Sequence, residues 1–288
     1  MTFRNPQSAF RDAPDPIAAA LAEDIGAGDV TCEFFVPENQ SGRARIVAKE
    51  PAVVAGVETA AETFARVDGT LHVSVLRNDG SEIAPGDAVL EVSGLVRSIL
   101  TGERVALNFL QRLSGVATLT SRFVEAVRGT KAQILDTRKT TPGLRALEKA
   151  AVKAGGGVNH RLGLHDMALV KDNHLAARGD AAFLREAIAR VRRERPGVRV
   201  ELEADTLNQV RMFLELGEKI DFILLDNMPP DAMREAVRLG AGRVQLEASG
   251  GVTLDTVADI AATGVDFISV GALTHSARAI DFSLELSQ

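Results

Sequence analysis

Phe222-Ile223-Leu224-Leu225, then Asp226-Asn227, then Pro229-Pro230-Asp231: this stretch holds the pattern that decides the fold. The short apolar run reads as a strand buried on both faces, as in a parallel sheet. A carboxylate and an amide close it. The two prolines and the aspartate then open a helix, because proline fits the first turn. The same grammar repeats on either side. Residues 133–135 run into Asp136-Thr137-Arg138-Lys139, and 168–170 into Lys171-Asp172-Asn173-His174. Residues 198–202 lead to Glu203 and Asp205, 243–246 to Glu247-Ala248-Ser249-Gly250-Gly251, and 266–270 to Gly271-Ala272. Helical patterns start at Thr141-Pro142, at Asp205 or Thr206, and at Thr253 before Gly264. Five successive strand–helix–strand steps imply a parallel sheet, as a barrel or a doubly wound sheet. In a barrel, the C-terminal ends of the strands hold the active site. One polar group there reads equally as a solvated loop or as a site; six in register are hard to dismiss.

The first half reads differently. A helical pattern from Pro14 to Asp24 stops at Gly26, and strands are expected at 43–49, 52–55, 71–76 and 88–92. Residues 98–128 are mostly helical with a break expected near Ser114-Gly115, which places a domain boundary there. The expected organisation is an N-terminal domain over 1–115, joined by a tail at 275–288, and a catalytic domain over 116–274.

Among 288 residues, 45% are apolar, enough for a sizeable core, and no apolar run nears the ~18 residues of a membrane span. The first sixteen residues carry Arg4, Arg11, Asp12 and Asp15 without an apolar core, so no secretory signal is read there. Cys32 is the only cysteine, which excludes an intrachain disulfide and a cysteine metal cluster, and the default location is cytoplasmic. A net charge of −6 with no Trp or Tyr argues against a nucleic-acid partner. The average hides a local excess: residues 138–171 hold seven basic and two acidic side chains. Arg145, Lys149 and Lys153, four apart, read as a solvated helix face. Arg138, Lys139, Arg161 and Lys171 stand at element ends instead.

These four cations suggest a polyanionic ligand. Arginine matches a carboxylate or phosphate with two parallel hydrogen bonds, whereas lysine acts as a point charge. Gly155-Gly156-Gly157-Val158-Asn159-His160-Arg161 would bring a backbone close to that ligand, with His160 and Arg161 reaching in. Ser249-Gly250-Gly251 and Val270-Gly271-Ala272 could hold a phosphate on backbone N–H groups, or merely permit tight turns. Glu203 and Asp226 suit Mg²⁺ or ribose hydroxyls, or ion pairs with Lys139 and Lys171. His165-Asp166 lacks a second histidine at ligand spacing, His72 reads as strand surface, and His275 stays ambiguous. Without a Walker or GxGxxG motif, ATP and NAD are unsupported. A Schiff-base lyase using Lys139 or Lys171 is the alternative chemistry.

Several stretches resemble the quinolinate phosphoribosyltransferase family, the carboxylating nicotinate-nucleotide pyrophosphorylases of NAD synthesis. They are Glu23 to Thr31, Glu103-Arg104-Val105-Ala106-Leu107-Asn108, Leu135 to Thr140, Gly155 to Arg161, Lys171 to His174, Leu225-Asp226-Asn227, Ser249-Gly250-Gly251 and Val270 to His275. They run in order over almost the whole chain. Ala248 departs from the second serine common there. The resemblance implies an α/β fold: an incomplete, seven-stranded α/β barrel behind an N-terminal α/β sandwich. It also implies a homodimer or multiple of dimers, in which the partner's Arg104 completes each site. The implied reaction joins quinolinate and phosphoribosyl pyrophosphate, with Mg²⁺, to give nicotinate mononucleotide, pyrophosphate and CO₂. By the same resemblance Arg138, His160, Arg161 and Arg104 meet the two carboxylates. Thr137 lies among the substrate-binding residues, and Lys139 and Lys171 face pyrophosphate or carboxylate. Glu203 and Asp226 take ribose hydroxyls and metal. Ser249, Gly250, Gly251, Val270, Gly271 and Ala272 hold the 5′-phosphate. A paralogous phosphoribosyltransferase for another aromatic acid is the nearest rival.

Overall fold

The computed structural model describes residues 15–174, 180–216 and 220–287, so the reading of the extreme N-terminus falls largely outside it. The chain divides into two units. The first comprises Met1–Ser121, Thr140–Gly156 and Leu273–Gln288, and the second Arg122–Lys139 and Gly157–Ala272.

In the first unit, helix α1 (Pro16–Ile25) starts on Asp15, whose carboxylate accepts the N–H groups of Ile17 and Ala18, and stops at Gly26. A short α2 (Val30–Phe35) follows. Strands β1 (Ser41–Ala48), β2 (Ala52–Val53), β3 (His72–Val75), β4 (Glu82–Ile83) and β5 (Ala88–Leu95) come next, with α3 (Val57–Val67) between β2 and β3. An antiparallel sheet forms in the order β12-β1-β5-β3, where β12 is Phe282–Ser287. Alternation along β1 buries Ala44, Ile46 and Ala48 on one face, while Arg45 on the other reaches Glu91 at 2.8 Å. Onto the buried face pack α3, through Ala60 and Phe64, and α4 (Val96–Ala126), through Ile99, Leu107 and Leu110.

Two expectations are corrected here. The break at Ser114-Gly115 does not occur: α4 runs unbroken for 31 residues. Ser114 Oγ accepts the Ala55 N–H at 3.0 Å, so its side chain serves a neighbouring segment and leaves the helical ladder intact. Gly115 is a close-approach residue, since a Cβ there would lie 2.0 Å from the Arg278 carbonyl oxygen. The second correction concerns α5 (Arg145–Ala154), which is not a solvated basic face throughout. Lys149 and its neighbour Glu148 are fully buried. Glu148 accepts from Arg112, from the Thr141 hydroxyl at 2.7 Å and from the Thr141 N–H at 3.0 Å, which accounts for its charge inside the core.

The second unit is built on a parallel sheet of β6 (Gln133–Leu135), β7 (Met167–Val170), β8 (Arg199–Ala204), β9 (Phe222–Asp226), β10 (Gln245–Ser249) and β11 (Phe267–Ser269), in the order β6-β11-β10-β9-β8-β7. A seventh position is reduced to one parallel bridge, Val158 to Leu135, beyond β6. Among the described residues no ladder joins Val158 to β7, which is the open seam of an incomplete barrel. The strand near 243–246 begins two residues later than expected. Helices Ala181–Glu194, Leu207–Leu214 and Pro230–Gly240 connect strands; the second opens on Thr206 in a reciprocal capping box with Gln209.

The registers pair Leu169 with Glu201, Glu201 with Phe222, and Glu247 with Phe267. Their side chains share the inner face. Met167, Phe222 and Phe267, the first residues of alternate strands, close the N-terminal end, with the two rings edge to face at 5.8 Å. Two residues further along, Leu169 and Leu224 are still apolar and Ser269 is polar, while Glu201, Glu203 and Glu247 of the strands between are buried on the same inner face. Stepping by two again from Leu169, Leu224 and Glu247 reaches Lys171, Asp226 and Ser249.

Candidate active site

The C-terminal ends of the parallel strands therefore carry polar side chains on the inner face. Lys171, after β7, places its ammonium 2.6 Å from Glu203 Oε2 on β8. Glu203 is almost wholly buried and Lys171 is 44% exposed, so one carboxylate oxygen is committed and the ammonium remains open to solvent. Asp226 ends β9 half-buried and accepts from the Asn227 side chain at 2.6 Å. Asn227 itself sits at φ 52°, the left-handed region.

Following β6, Asp136 is buried and works as a backbone organiser. Its two oxygens accept the Asn159 amide at 2.6 Å and the His160 N–H at 2.9 Å. The turn beyond it is shaped by Thr137 Oγ1, which accepts the Lys139 N–H at 3.0 Å. Arg138 is half-buried and Lys139 exposed. Arg161, also half-buried, donates to the Met167 carbonyl at 3.2 Å. Burial pushes the Arg161 pKa down, and the positive charge of Arg138 pushes it further the same way. The two arginines follow adjacent segments, each three residues beyond the Leu135–Val158 bridge, and the Arg138 charge bears on Arg161. An anion bound there would offset both charges.

Arg138 and Arg161 follow neighbouring segments, three residues beyond the Leu135–Val158 bridge, and Lys171 at the end of β7 pairs with Glu203. Arg104 belongs to the first unit, on α4, with its side chain 58% exposed beside Glu103.

At the late strands, Gly250 and Gly251 adopt φ of 96° and 60°, and Gly250 packs so closely that a Cβ would meet Asn227 Oδ1 at 2.1 Å. Gly250, and Ser249 before it, therefore turn tightly against the end of β9. Ala248 is fully buried, so its side chain faces packing. Val270 donates its N–H to Leu135 at 2.9 Å and is buried, while Gly271 and Ala272 beyond it are half-exposed. His165 is exposed, and Asp166 accepts the N–H groups of Leu162 and Gly163, a turn rather than a metal site.

His160 departs from the expectation that it reaches a ligand. Its ring is buried, with Nε2 at 3.1 Å from Glu201 and 3.3 Å from Glu247. The Arg161 N–H donates to Nδ1 at 2.7 Å, so that nitrogen offers a lone pair and the ring proton sits on Nε2. Both nitrogens are taken up within the protein. Burial opposes a charged imidazole, yet the Glu247 and Glu201 carboxylates outweigh it and raise the His160 pKa to about 10. With Nδ1 occupied as an acceptor, the proton-bearing Nε2 is the ring atom that faces both carboxylates. Burial, followed by the charge of Glu247, raises Glu201 to about 7. Ser269 Oγ donates to the remaining Glu247 oxygen at 2.6 Å.

Glu201, Glu247 and Ser269 were not singled out from sequence as site residues. A signal existed: Glu201 and Glu203, two apart in an apolar strand, must share a face. A separate cavity of about 400 Å³ in the first unit, lined by Glu23, Asp24, Asn108, Arg112 and Leu144 among others, contains none of the expected site residues.

Comparison with known proteins agrees with this architecture. Residues 29–114 match the quinolinate phosphoribosyl transferase N-terminal domain and residues 116–285 its C-terminal domain. The chain is 46% identical over 283 residues to the nicotinate-nucleotide pyrophosphorylase [carboxylating] of Mycobacterium leprae, covering 96% of this chain and 98% of that protein. It is 42% identical over 266 residues to the probable enzyme of the same name from Bacillus subtilis, covering 92% and 90%. The solved nicotinate-nucleotide pyrophosphorylase of Francisella tularensis superposes with a TM-score of 0.87 at 36% identity, covering 94% of each chain. The sandwich sheet, the open parallel barrel and these matches over both units together place the chain in the quinolinate phosphoribosyltransferase family.

Proposed function

We propose that this chain transfers the phosphoribosyl group of phosphoribosyl pyrophosphate to the ring nitrogen of quinolinate, with decarboxylation. The products are nicotinate mononucleotide, pyrophosphate and CO₂. The observation that carries this reading is that half-buried Arg138 and Arg161 follow neighbouring segments, each three residues beyond the Leu135–Val158 bridge, a placement that suits a dianionic pyridine. Lys139, exposed on the same turn, and Lys171 supply charge for the diphosphate. The Ser249–Gly251 turn and Val270-Gly271-Ala272 suit the 5′-phosphate.

In the transfer, the bond from the ring nitrogen to the ribose carbon forms as the carbon–oxygen bond to pyrophosphate breaks. The ribose passes through an oxocarbenium-like state, so positioning and charge stabilisation do most of the catalysis. The quaternised nitrogen then accepts electron density from the neighbouring ring carbon as CO₂ leaves, and that carbon takes up a proton. Glu203 and Asp226 are hard oxygen donors on adjacent strands, a donor set that fits Mg²⁺ or ribose hydroxyls. When bound, Mg²⁺ would neutralise the diphosphate. The Schiff-base alternative is disfavoured, because Lys171 sits in an ion pair open to solvent rather than in a desolvated pocket.

The working form is a homodimer or higher oligomer in which the partner's Arg104 completes each site. Helix α2 supports this, since Val30, Phe34 and Phe35 on it are 67%, 72% and 83% exposed. No described helix is long and apolar enough to cross a membrane, and a cytoplasmic location accords with that.

Arg138→Ala tests the substrate assignment. Removing one partner of a buried charged pair typically costs ~2–5 kcal/mol, so quinolinate affinity by calorimetry should fall roughly 30- to several-thousand-fold, with phosphoribosyl pyrophosphate affinity much less affected. Unchanged quinolinate affinity would refute it.

A further inference from the structure

We propose that Glu201 and Glu247 are positioning residues for quinolinate recognition: they grip the His160 ring, which fixes the Arg161 backbone and so aims its guanidinium. The proposal rests on the reading that this chain binds quinolinate.

The connection is continuous. Glu201 on β8 and Glu247 on β10 converge on Nε2 of His160, at 3.1 and 3.3 Å. On the opposite side of the ring, Nδ1 accepts the Arg161 N–H at 2.7 Å. Asp136 holds the same segment by the His160 N–H, at 2.9 Å, and by the Asn159 amide. Ser269 on β11 steadies Glu247. Four strand regions thus converge on a three-residue segment that ends in Arg161.

Such an arrangement is expensive as a means of stability. Withdrawing a carboxylate from water costs several kcal/mol, and well-packed apolar residues often replace buried ionic groups without loss of stability. Among the described residues, the buried Oε1 of Glu201 has no hydrogen-bond partner. What the cluster does supply is a fixed ring plane and tautomer, and through it a fixed direction for Arg161. Arg161 needs that support, because the Arg138 charge bears on it. The Glu201 charge acts on Arg161 in the opposite sense, favouring the charged guanidinium. His160 is on this account a positioning residue too.

The same three side chains form a set that could hold a metal ion, so the test addresses that directly. Steady-state kinetics would compare the wild type with Glu201→Gln, Glu247→Gln and Glu247→Leu. A misplacement of about 1 Å in a binding group costs up to ~100-fold. We expect the quinolinate KM to rise ~10- to 100-fold in Glu247→Leu. The rise should be smaller in the glutamine variants, which keep an acceptor for Nε2–H. The kcat and the KM for phosphoribosyl pyrophosphate should stay within about threefold. If Glu247→Leu does not melt cooperatively, the near-isosteric glutamine variants carry the test. A folded variant set with wild-type quinolinate KM would overturn the proposal, as would an equal rise in both KM values. Stoichiometric metal in the chelator-free wild type, lost together with quinolinate binding on chelation, would also overturn it. Absence of quinolinate turnover in the wild type would remove the functional reading, and this proposal with it; the other outcomes remove this proposal alone.

Discussion

At the residue scale, Gly250 shows how tightly the late-strand turn is specified. Its φ of 96° is one that side-chain-bearing residues rarely adopt, and a methyl group would lie 2.1 Å from Asn227 Oδ1, next to Asp226. Gly250→Ala should therefore displace both the turn and the end of β9. Strain of this kind costs ~1–3 kcal/mol, so the KM for phosphoribosyl pyrophosphate should rise roughly 5- to 150-fold, with a smaller change for quinolinate. A folded variant with an unaltered phosphoribosyl pyrophosphate KM would remove the turn from the phosphate site. At this scale the sequence was most informative where chemistry is exposed at element ends. Arg138, Arg161 and Lys171 could be picked out because cations cluster there against the trend of the chain. Burial was not legible: nothing in the spacing of Arg145, Lys149 and Lys153 says that Lys149 is inside, or that His160 is enclosed by two glutamates.

Elements were read best where one rule decides them. Thr206 does open a helix, through its capping box with Gln209, and Pro230 stands in the first turn of another. The six parallel strands appear near their expected places because each is a short apolar run with a polar stop. Ser114-Gly115 misled because the pair has two physical uses. Serine and glycine often end helices, but here Ser114 bonds Ala55 and Gly115 admits the Arg278 backbone. Which use applies depends on two segments, one 59 residues before Ser114 and the other at Arg278, and no local window contains either. Strand parity was the underused signal. On β8, Glu201 and Glu203 differ by two and so face the interior together; the first joins the His160 cluster and the second meets Lys171.

For the whole molecule, the first unit collects three separated segments of the chain, including the tail that pairs β12 with β1. The proposed assembly adds one more level, in which Arg104 acts on the partner's barrel. Mixing inactive Arg104→Ala and Lys139→Ala proteins tests it. In a two-fold dimer with random exchange, half the dimers are mixed and each has one intact site, so activity should recover to about a quarter of wild type. No recovery, with subunit exchange confirmed by mass, would rule out the shared site. The most direct measurement is turnover by the purified protein with phosphoribosyl pyrophosphate and Mg²⁺, recording pyrophosphate and CO₂ together. The account predicts equal amounts of both with quinolinate and neither at a comparable rate with nicotinate. Pyrophosphate release with nicotinate matching that with quinolinate, or release with quinolinate but no CO₂, would contradict it.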